Sequence, residues 1–281
     1  MSRRNNDERL GAPHPDAPAP LAQNTTGDLF SFVNPTEFVE LPSKGLFYRE
    51  GHPLCGQETI EIRHMTAREE DILTSETLLK NGLAIDRLVQ SVIIDKSITV
   101  DSLLIGDKNA ILVGTRITGF GPFYEVAITC PACIASTKQE YDLSLLVHNT
   151  HEEGDVDLSP NGYPQVTLPK SNVIIEMKLL TSQDEKYITK QLAMRKKKKL
   201  PENTATLLLS SIIISANGIT DRAQILKLTD MLPIQDAKHL RTAYEAAKPD
   251  VDMNVDFNCG ECSHAGTAVM PLTAEFFWPN T

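Results

Sequence analysis

The chain has 281 residues, of which 41% are hydrophobic and 23% are charged, and its formal net charge is −10. This length allows one large domain or two smaller ones with a substantial core. The acidic balance argues against a surface that binds phosphates all over, and we expect no nucleic-acid partner. The longest apolar stretch, residues 207–216, is far shorter than the about 20 residues of a membrane span, so we expect no membrane partner either.

Residues 1–35 are predicted to form a disordered tail. They are rich in Pro, Ala, Asn, Asp and Gly and carry little periodic apolar signal. Arg3 and Arg4 are not followed by an apolar segment, so the stretch does not resemble a secretory signal. We therefore expect a soluble protein in a reducing cytoplasm, where a Cys-x-x-Cys pair is typical of metal or redox sites.

Ordered structure is predicted to begin at residue 36. Val39 and Leu41 suggest a short strand, and the "PSKG" sequence at 42–45 favours a turn. Two later segments then align with one another without a gap, "IEIRHMTAREEDILT" at 60–74 and "IEMKLLTSQDEKYIT" at 175–189. Both patterns predict a strand that runs into a helix.

The two helix starts carry the same capping pattern. Thr66 and Thr181 occupy the N-cap position, with Glu69 and Asp184 three residues later, which is a capping box and its aspartate variant. An apolar helix is predicted next in each copy, from residues spaced as i, i+3, i+4 and i+7. These residues are Ile85, Leu88, Val89, Val92 and Ile93 in the first copy, and Leu209, Ile212, Ile213 and Ala216 in the second.

A run of basic residues, Arg195 to Lys199, interrupts the acidic sequence. It is interpreted as the solvated C-terminal turn of a helix, where cations suit the negative end of the helix dipole. The alternative is a contact with an acidic protein partner or with nucleic acid.

Each copy is predicted to end in a β-hairpin that carries two thiols. Residues 123–133 and 252–262 both alternate apolar and polar side chains and both end in Cys-x-x-Cys. The sequence therefore predicts an α+β protein made of two pseudo-repeats. We place the first repeat at residues 36–148, an acidic linker at 149–171 and the second repeat at 172–281.

The two pairs, Cys130 with Cys133 and Cys259 with Cys262, can supply four thiolates to one tetrahedral Zn²⁺. They stand much farther apart in sequence than the pairs of an ordinary zinc ribbon. A duplication explains this, because related hairpins can meet across a pseudo-two-fold axis. Four thiolates leave no position for water, so the pattern predicts one structural zinc per chain rather than a catalytic one.

Other interpretations of the cysteines stay open. A redox pair fits less well, because neither pair begins a helix after a strand, where thiol pKa values are lowered. Unliganded thiols are a further alternative, and His264 could replace one thiolate. Cys55 stands alone, and we predict that it is a small buried side chain.

Nothing in the sequence predicts catalysis. There is no Gly-rich phosphate loop, HExxH motif, nucleophile elbow or EF-hand loop. Paired carboxylates such as Glu69 and Glu70 are common at solvated helix starts. We therefore predict a protein that is not an enzyme and that has no catalytic residues.

The sequence ends in an aromatic cluster, Phe276, Phe277 and Trp278. Such a cluster either folds back onto a core or is exposed as a docking peptide. We keep it as a candidate partner-binding segment.

The stretch "FVELPSKGLFYREGHPL" followed by "IEIRHMTAREEDIL" resembles the opening of the T-even-type bacteriophage baseplate hub assembly proteins. In that family a Leu-Pro-Ser-Lys-Gly-Leu-x-Tyr turn precedes a strand and a Met-Thr-x-x-x-Glu helix start. The matching residues are Leu41, Pro42, Ser43, Lys44, Gly45, Leu46 and Tyr48, then Met65, Thr66 and Glu70. The second copy has "VTLPKSNV" in place of this lead-in, so a partner contact of the turn would belong to the first copy alone.

The resemblance implies a phage tail protein that helps to build the central hub of a contractile-tail baseplate. Implied partners are other hub or wedge proteins and the tape-measure protein, first in the host cytoplasm and then in the virion baseplate. The alternatives are an assembly chaperone that is absent from the mature particle and a zinc-ribbon nucleic-acid binder. The candidate partner-binding residues are Leu41, Pro42, Ser43, Lys44, Gly45, Phe276, Phe277 and Trp278.

Overall fold

The computed structural model describes residues 34–151 and 156–277. Within these ranges the fold is α+β, as predicted, with eight α-helices and several small antiparallel sheets. The tail predicted at residues 1–35 lies outside the described residues except for its last two. We use "first half" for residues 34–151 and "second half" for residues 156–277. From Pro35 onward, both halves belong to one compact unit.

Each half runs from paired strands through helices to a β-hairpin. The first half contains helices α1 to α4, at Ala67–Thr74, Glu76–Lys80, Ala84–Val92 and Ile105–Phe120. The second half contains α5 to α8, at Ser182–Lys197, Thr204–Ile212, Arg222–Met231 and Ile234–Ala247. Strands β1 to β5 lie at Thr36–Glu40, Thr59–Arg63, Phe123–Thr129, Ser136–Asp142 and His148–Asn149. Strands β6 to β11 lie at Gln165–Thr167, Ile174–Met177, Ile213–Ala216, Asp250–Val251, Asn254–Asn258 and Ala265–Val269.

The sheets are short and each pairs its strands antiparallel. β1 pairs with β2, β3 with β4, and β10 with β11, while β6, β7 and β8 form a three-stranded sheet. β5 and β9 form a two-stranded ladder between the halves. Strand β6 lies inside the stretch predicted as a linker, residues 149–171, and the adjacent Leu168 is fully buried. That stretch is therefore partly structured.

The strand-to-helix starts have the predicted caps. Thr66 is the N-cap of α1 and Thr181 is the N-cap of α5, and each forms a capping box with the acidic residue three positions later. The backbone N–H of Thr66 donates to Glu69 over 2.9 Å, and that of Thr181 donates to Asp184 over 3.1 Å. These bonds satisfy backbone donors that a helix start leaves without an intrahelical partner.

Both capping carboxylates also form an ion pair with a cation on the preceding strand or just after it. Arg63 Nη2 lies 2.6 Å from Glu69 Oε1, and Lys178 Nζ lies 2.6 Å from Asp184 Oδ1. The Glu69 side chain is fully buried. Burial disfavours its charge, but hydrogen bonds from Arg63, Ser91 and Thr66 lower its pKa to about 2.

The apolar helices α3 and α6 each end by passing into extended backbone that pairs with a strand. Ile93 bridges Ile62 of β2, and Ile213 pairs with Met177 of β7. The prediction that Ile213 and Ala216 continue a helix is wrong, because both lie in β8. A short apolar run fits a buried strand as well as a helix, and here β7 offers an edge with which to pair.

A Leu-Pro turn follows the first strand of each half, and a buried aspartate holds it. In the first half Asp107 accepts hydrogen bonds from the Ser43 N–H and hydroxyl and from the Tyr48 hydroxyl. In the second half Asp236 accepts from the backbone N–H groups of Lys170 and Ser171. Both carboxylates are fully buried, each in the first turn of its helix, α4 and α8.

The C-terminal aromatic residues fold back onto the first half. Phe276 and Phe277 are each 1% exposed, and the Phe276 ring makes an edge contact with Tyr124. Arg116 of α4, also buried, donates to the carbonyl oxygens of Phe276, Gly121 and Phe123. This segment is therefore part of the core that joins the halves.

Candidate metal centre

The two hairpins bring all four predicted metal ligands together. β3 leads to Cys130 and Cys133 in one hairpin, and β10 leads to Cys259 and Cys262 in the other. The side chains alternate as predicted, since Tyr124 and Ile128 of β3 and Val255 and Phe257 of β10 face the core. The first cysteine of each pair is buried and the second is exposed.

The sulfur atoms have the spacing of a tetrahedral thiolate site. Cys130 Sγ lies 3.7 Å from Cys262 Sγ, and Cys133 Sγ lies 3.5 Å from Cys259 Sγ. All four sulfurs lie within 4.8 Å of one another. Zn–S bonds of about 2.3 Å in a tetrahedron separate the sulfurs by about 3.8 Å. The donor set and its geometry therefore fit a zinc ion.

The turn that presents the sulfurs is the same in both hairpins. The backbone N–H of Ile134 donates to the Cys130 carbonyl, and the N–H of Ser263 donates to the Cys259 carbonyl. Ile134 and Ser263 both adopt the left-handed backbone conformation, with φ of 64° and 55°. This conformation costs a non-glycine residue about 1 kcal/mol or more and recurs at ligand clamps. Both turns therefore share the same strained backbone conformation, and their cysteine side chains point toward one place.

Electrostatics within the cluster favour a bound cation. Backbone N–H groups of Cys262 and Glu261 donate to Cys259 and lower the pKa of that thiol to about 6. At Cys133 the N–H of Ala135 lowers the pKa, but the neighbouring Cys262 and Cys259 thiols outweigh it and raise the pKa to about 12. Thiolates at this spacing repel one another, and a divalent cation between them would offset that repulsion.

Direct contacts hold the hairpins against each other beside the cysteines. The Gln139 side chain donates to the Asn258 carbonyl oxygen over 3.0 Å, and the Tyr141 hydroxyl donates to the Asp256 carbonyl oxygen over 3.0 Å. Both bonds run from β4 to β10. His264 contacts the Phe257 ring and is not part of the four-sulfur cluster.

The predicted partner-binding turn is largely buried. Leu41, Pro42 and Ser43 are buried and Lys44 is half-buried. Gly45 has a positive φ of 72°, and a Cβ atom there would lie 2.4 Å from the Gln57 backbone nitrogen. The turn therefore requires glycine for its own packing, which supports the structural interpretation of "LPSKG".

Two further expectations need correction. Phe276 and Phe277 are buried, so they do not form an exposed docking end, because the apolar core beside Tyr124 covers them. Trp278 lies outside the described residues. Cys55 was expected to be buried but is exposed, because it lies in a surface turn that also contains His52.

Sequence reasoning missed the residues that anchor the turn and the C-terminal segment, Asp107, Asp236 and Arg116. A signal was present for the aspartates, since each precedes the first cysteine of the Cys-x-x-Cys pair in its half by the same number of residues. Arg116 left no such signal, because its acceptors are backbone carbonyl groups.

The fold and the cluster describe a protein of two similar halves that meet at a candidate structural metal centre. A family model described as "T4 bacteriophage base plate protein" matches residues 36–278. The chain therefore belongs to this family of bacteriophage baseplate proteins, as the resemblance of its opening residues predicted. The family implies a location in the tail baseplate and contacts with other baseplate proteins.

No curated protein and no solved structure matches the chain. Within the described residues, no helix combines the length and the apolar character that crossing a bilayer requires.

Proposed function

We propose that this chain is a non-enzymatic component of the baseplate hub whose two halves are fixed to each other by one zinc ion. The observation that carries the proposal is the approach of four thiols from two hairpins to within 4.8 Å. Cys130, Cys133, Cys259 and Cys262 would be the ligands, and zinc would add a cross-link without an open position for water or substrate. Such a centre stabilises a structure rather than catalysing a reaction.

We further propose that the halves arose by duplication. The same contacts recur in both: a capped helix, an ion pair before it and a turn held by a buried aspartate. The second set of matching contacts begins with β6 and the Leu-Pro turn after it, so the second repeat would start near residue 165 rather than 172. The stretch between the repeats would then be shorter than the predicted linker.

The zinc proposal is tested by metal analysis of the purified full-length chain. We expect one zinc per chain in the wild type and none after Cys130→Ser combined with Cys259→Ser, which removes one buried ligand from each hairpin. Cys55→Ser is the matched control, since this exposed thiol lies outside the cluster, and it should retain the metal. Unchanged zinc in the double variant would exclude the shared site and leave a redox pair or free thiols.

The hub role is tested on infected cells. We expect quantitative peptide mass spectrometry to find this chain in purified mature particles at a fixed, small number of copies. Abundance in the lysate together with absence from particles would contradict the proposal. That result would favour the alternative, an assembly chaperone that leaves before the particle is complete and that binds the tape-measure protein.

A further inference from the structure

Helix α5 has an outward face that no other element covers in the part of the chain described here. Tyr187, Lys190, Met194 and Lys197 are three or four residues apart, so they form one line along the helix, and Lys198 caps its end. Tyr187 is 50% exposed and Met194 is 41% exposed, and the three lysines are exposed. We call these five residues the basic stripe.

The lysines of the basic stripe have no ion-pair partner among residues 34–151 and 156–277. By contrast, Lys186, one turn before Lys190, contacts both Asp86 and Asp101. The predicted helix end is confirmed, because Arg195 to Lys197 occupy the last turn of α5. The helix dipole accounts for cations at this end, but it does not account for aromatic and thioether side chains exposed between them.

A groove of opposite charge lies beside the hairpins. It has a volume of about 360 Å³, and its walls include Asp142, Leu145, Val147, Asp252 and Asp256. We call these five residues the acidic groove. Leu145 and Val147 are 76% and 66% exposed. None of the three carboxylates forms an ion pair with another described residue, and two of them accept hydrogen bonds only from their near neighbours.

The stripe and the groove complement each other in length as well as in charge. Lys190 and Lys197 are about 10 Å apart along a helix. Asp256 lies in β10 and Asp252 lies two residues before that strand, so they are separated by at most about 13 Å along the chain. Each surface also offers two exposed apolar side chains between or beside its charges.

We propose that the basic stripe of one copy of this chain docks in the acidic groove of a second copy. The contact joins different surfaces of the two copies, so the second copy still presents a free stripe. A contact of this kind continues either to a closed ring or to an open filament. The proposal depends on neither the metal nor the hub role.

A second copy suits the stripe better than nucleic acid does. The net charge of −10 repels both a polyanion and a second copy at long range, but the groove of a second copy offers the lysines local carboxylates together with apolar side chains. Exposed Tyr187 and Met194 can pack against the exposed Leu145 and Val147 of the groove, whereas a phosphate backbone offers them no apolar partner.

Sedimentation velocity of the full-length chain tests this contact. We expect the wild type to associate as its concentration rises, and to associate less at high salt. Lys197→Glu with Lys198→Glu damages the stripe, and Leu145→Lys with Asp256→Lys damages the groove. Each pair of substitutions should weaken association by about 100-fold or more, because like charges would then face each other.

Mixing the two damaged proteins gives the decisive result. One keeps an intact groove and the other an intact stripe, so an equimolar mixture should associate although neither protein does so alone. The matched control, Lys227→Glu with Lys238→Glu, makes the same charge change at exposed positions on α7 and α8 and should associate as the wild type does.

Three results would overturn the inference: a wild type that stays monomeric in low salt, a control that is weakened equally, or a mixture that does not associate. A monomeric wild type that binds DNA through Lys197 and Lys198, with affinity lost as salt rises, would assign the stripe to nucleic acid instead.

Discussion

In each half a buried aspartate holds the Leu-Pro turn, but the groups that donate hydrogen bonds to it differ between the halves. Asp107 holds its Leu-Pro turn mainly through the hydroxyl groups of Ser43 and Tyr48, whereas Asp236 holds its turn through two backbone N–H groups. Burial raises the pKa of Asp107 despite these bonds. Burial acts in the same direction on Asp236, but hydrogen bonds from the Lys170 N–H and from the Ser171 hydroxyl and N–H reverse it and lower the pKa. What the halves share is therefore the position of one carboxylate, and the groups that bind it differ.

The ion pairs before the capped helices differ in burial. Glu69 is fully enclosed and shares its oxygens among Arg63, Ser91 and Thr66. In the Lys178–Asp184 pair the two side chains keep 37% and 21% of their exposure. Water can take the place of a lost partner more readily at the second pair, because Asp184 is 21% exposed whereas Glu69 is fully buried and only its partner Arg63 keeps 22% of its exposure.

The largest difference between the halves should appear when the cation of each pair is removed. Arg63→Met should lower the free energy of unfolding by about 3 kcal/mol, because it leaves the buried Glu69 carboxylate without its cation. Lys178→Met should cost about 1 kcal/mol or less, as expected for a partly exposed pair. Urea unfolding of the two variants at neutral pH measures both effects. Equal costs would show that burial does not distinguish these pairs.

A smaller difference is expected between the two aspartates. Asp236→Asn should cost about 2 kcal/mol, because its amide would point an N–H at a backbone N–H that cannot accept. Asp107→Asn should cost about 1 kcal/mol, since the Ser43 and Tyr48 hydroxyl groups can rotate and accept from the new amide. Thermal unfolding of both variants in the same buffer compares them. The reverse order would contradict the distinction between hydroxyl and backbone donors.

The elements that the sequence predicted correctly have local signals. The capped helix starts at Thr66 and Thr181 follow from four neighbouring residues, and the hairpins follow from alternation that ends in cysteine. The meeting of Cys130 and Cys259 was also predictable, although they are far apart in the chain, because both belong to a pattern that occurs twice.

The other features depend on contacts that a local pattern does not contain. Ser43 and Asp107 are separated by 64 residues, and nothing around either one indicates the other. Ile213 forms a strand because β7 lies beside it. Phe276 is buried because its ring packs against Tyr124 and its carbonyl oxygen accepts a hydrogen bond from Arg116. In each case the deciding partner comes from a distant part of the chain, so composition and periodicity alone could not select the outcome.

The separation of Cys133 from Cys259 along the chain also determines when the candidate metal centre can form during synthesis. The two sulfurs lie 3.5 Å apart in the folded protein but are separated by 126 residues along the chain. At synthesis rates of about 5–20 residues per second, the ribosome needs roughly 6–25 s to pass from one to the other. Throughout that interval the first hairpin carries a nucleophilic dithiol with no partner pair. We expect a nascent chain to be most vulnerable to oxidation in this window, before its own second hairpin exists.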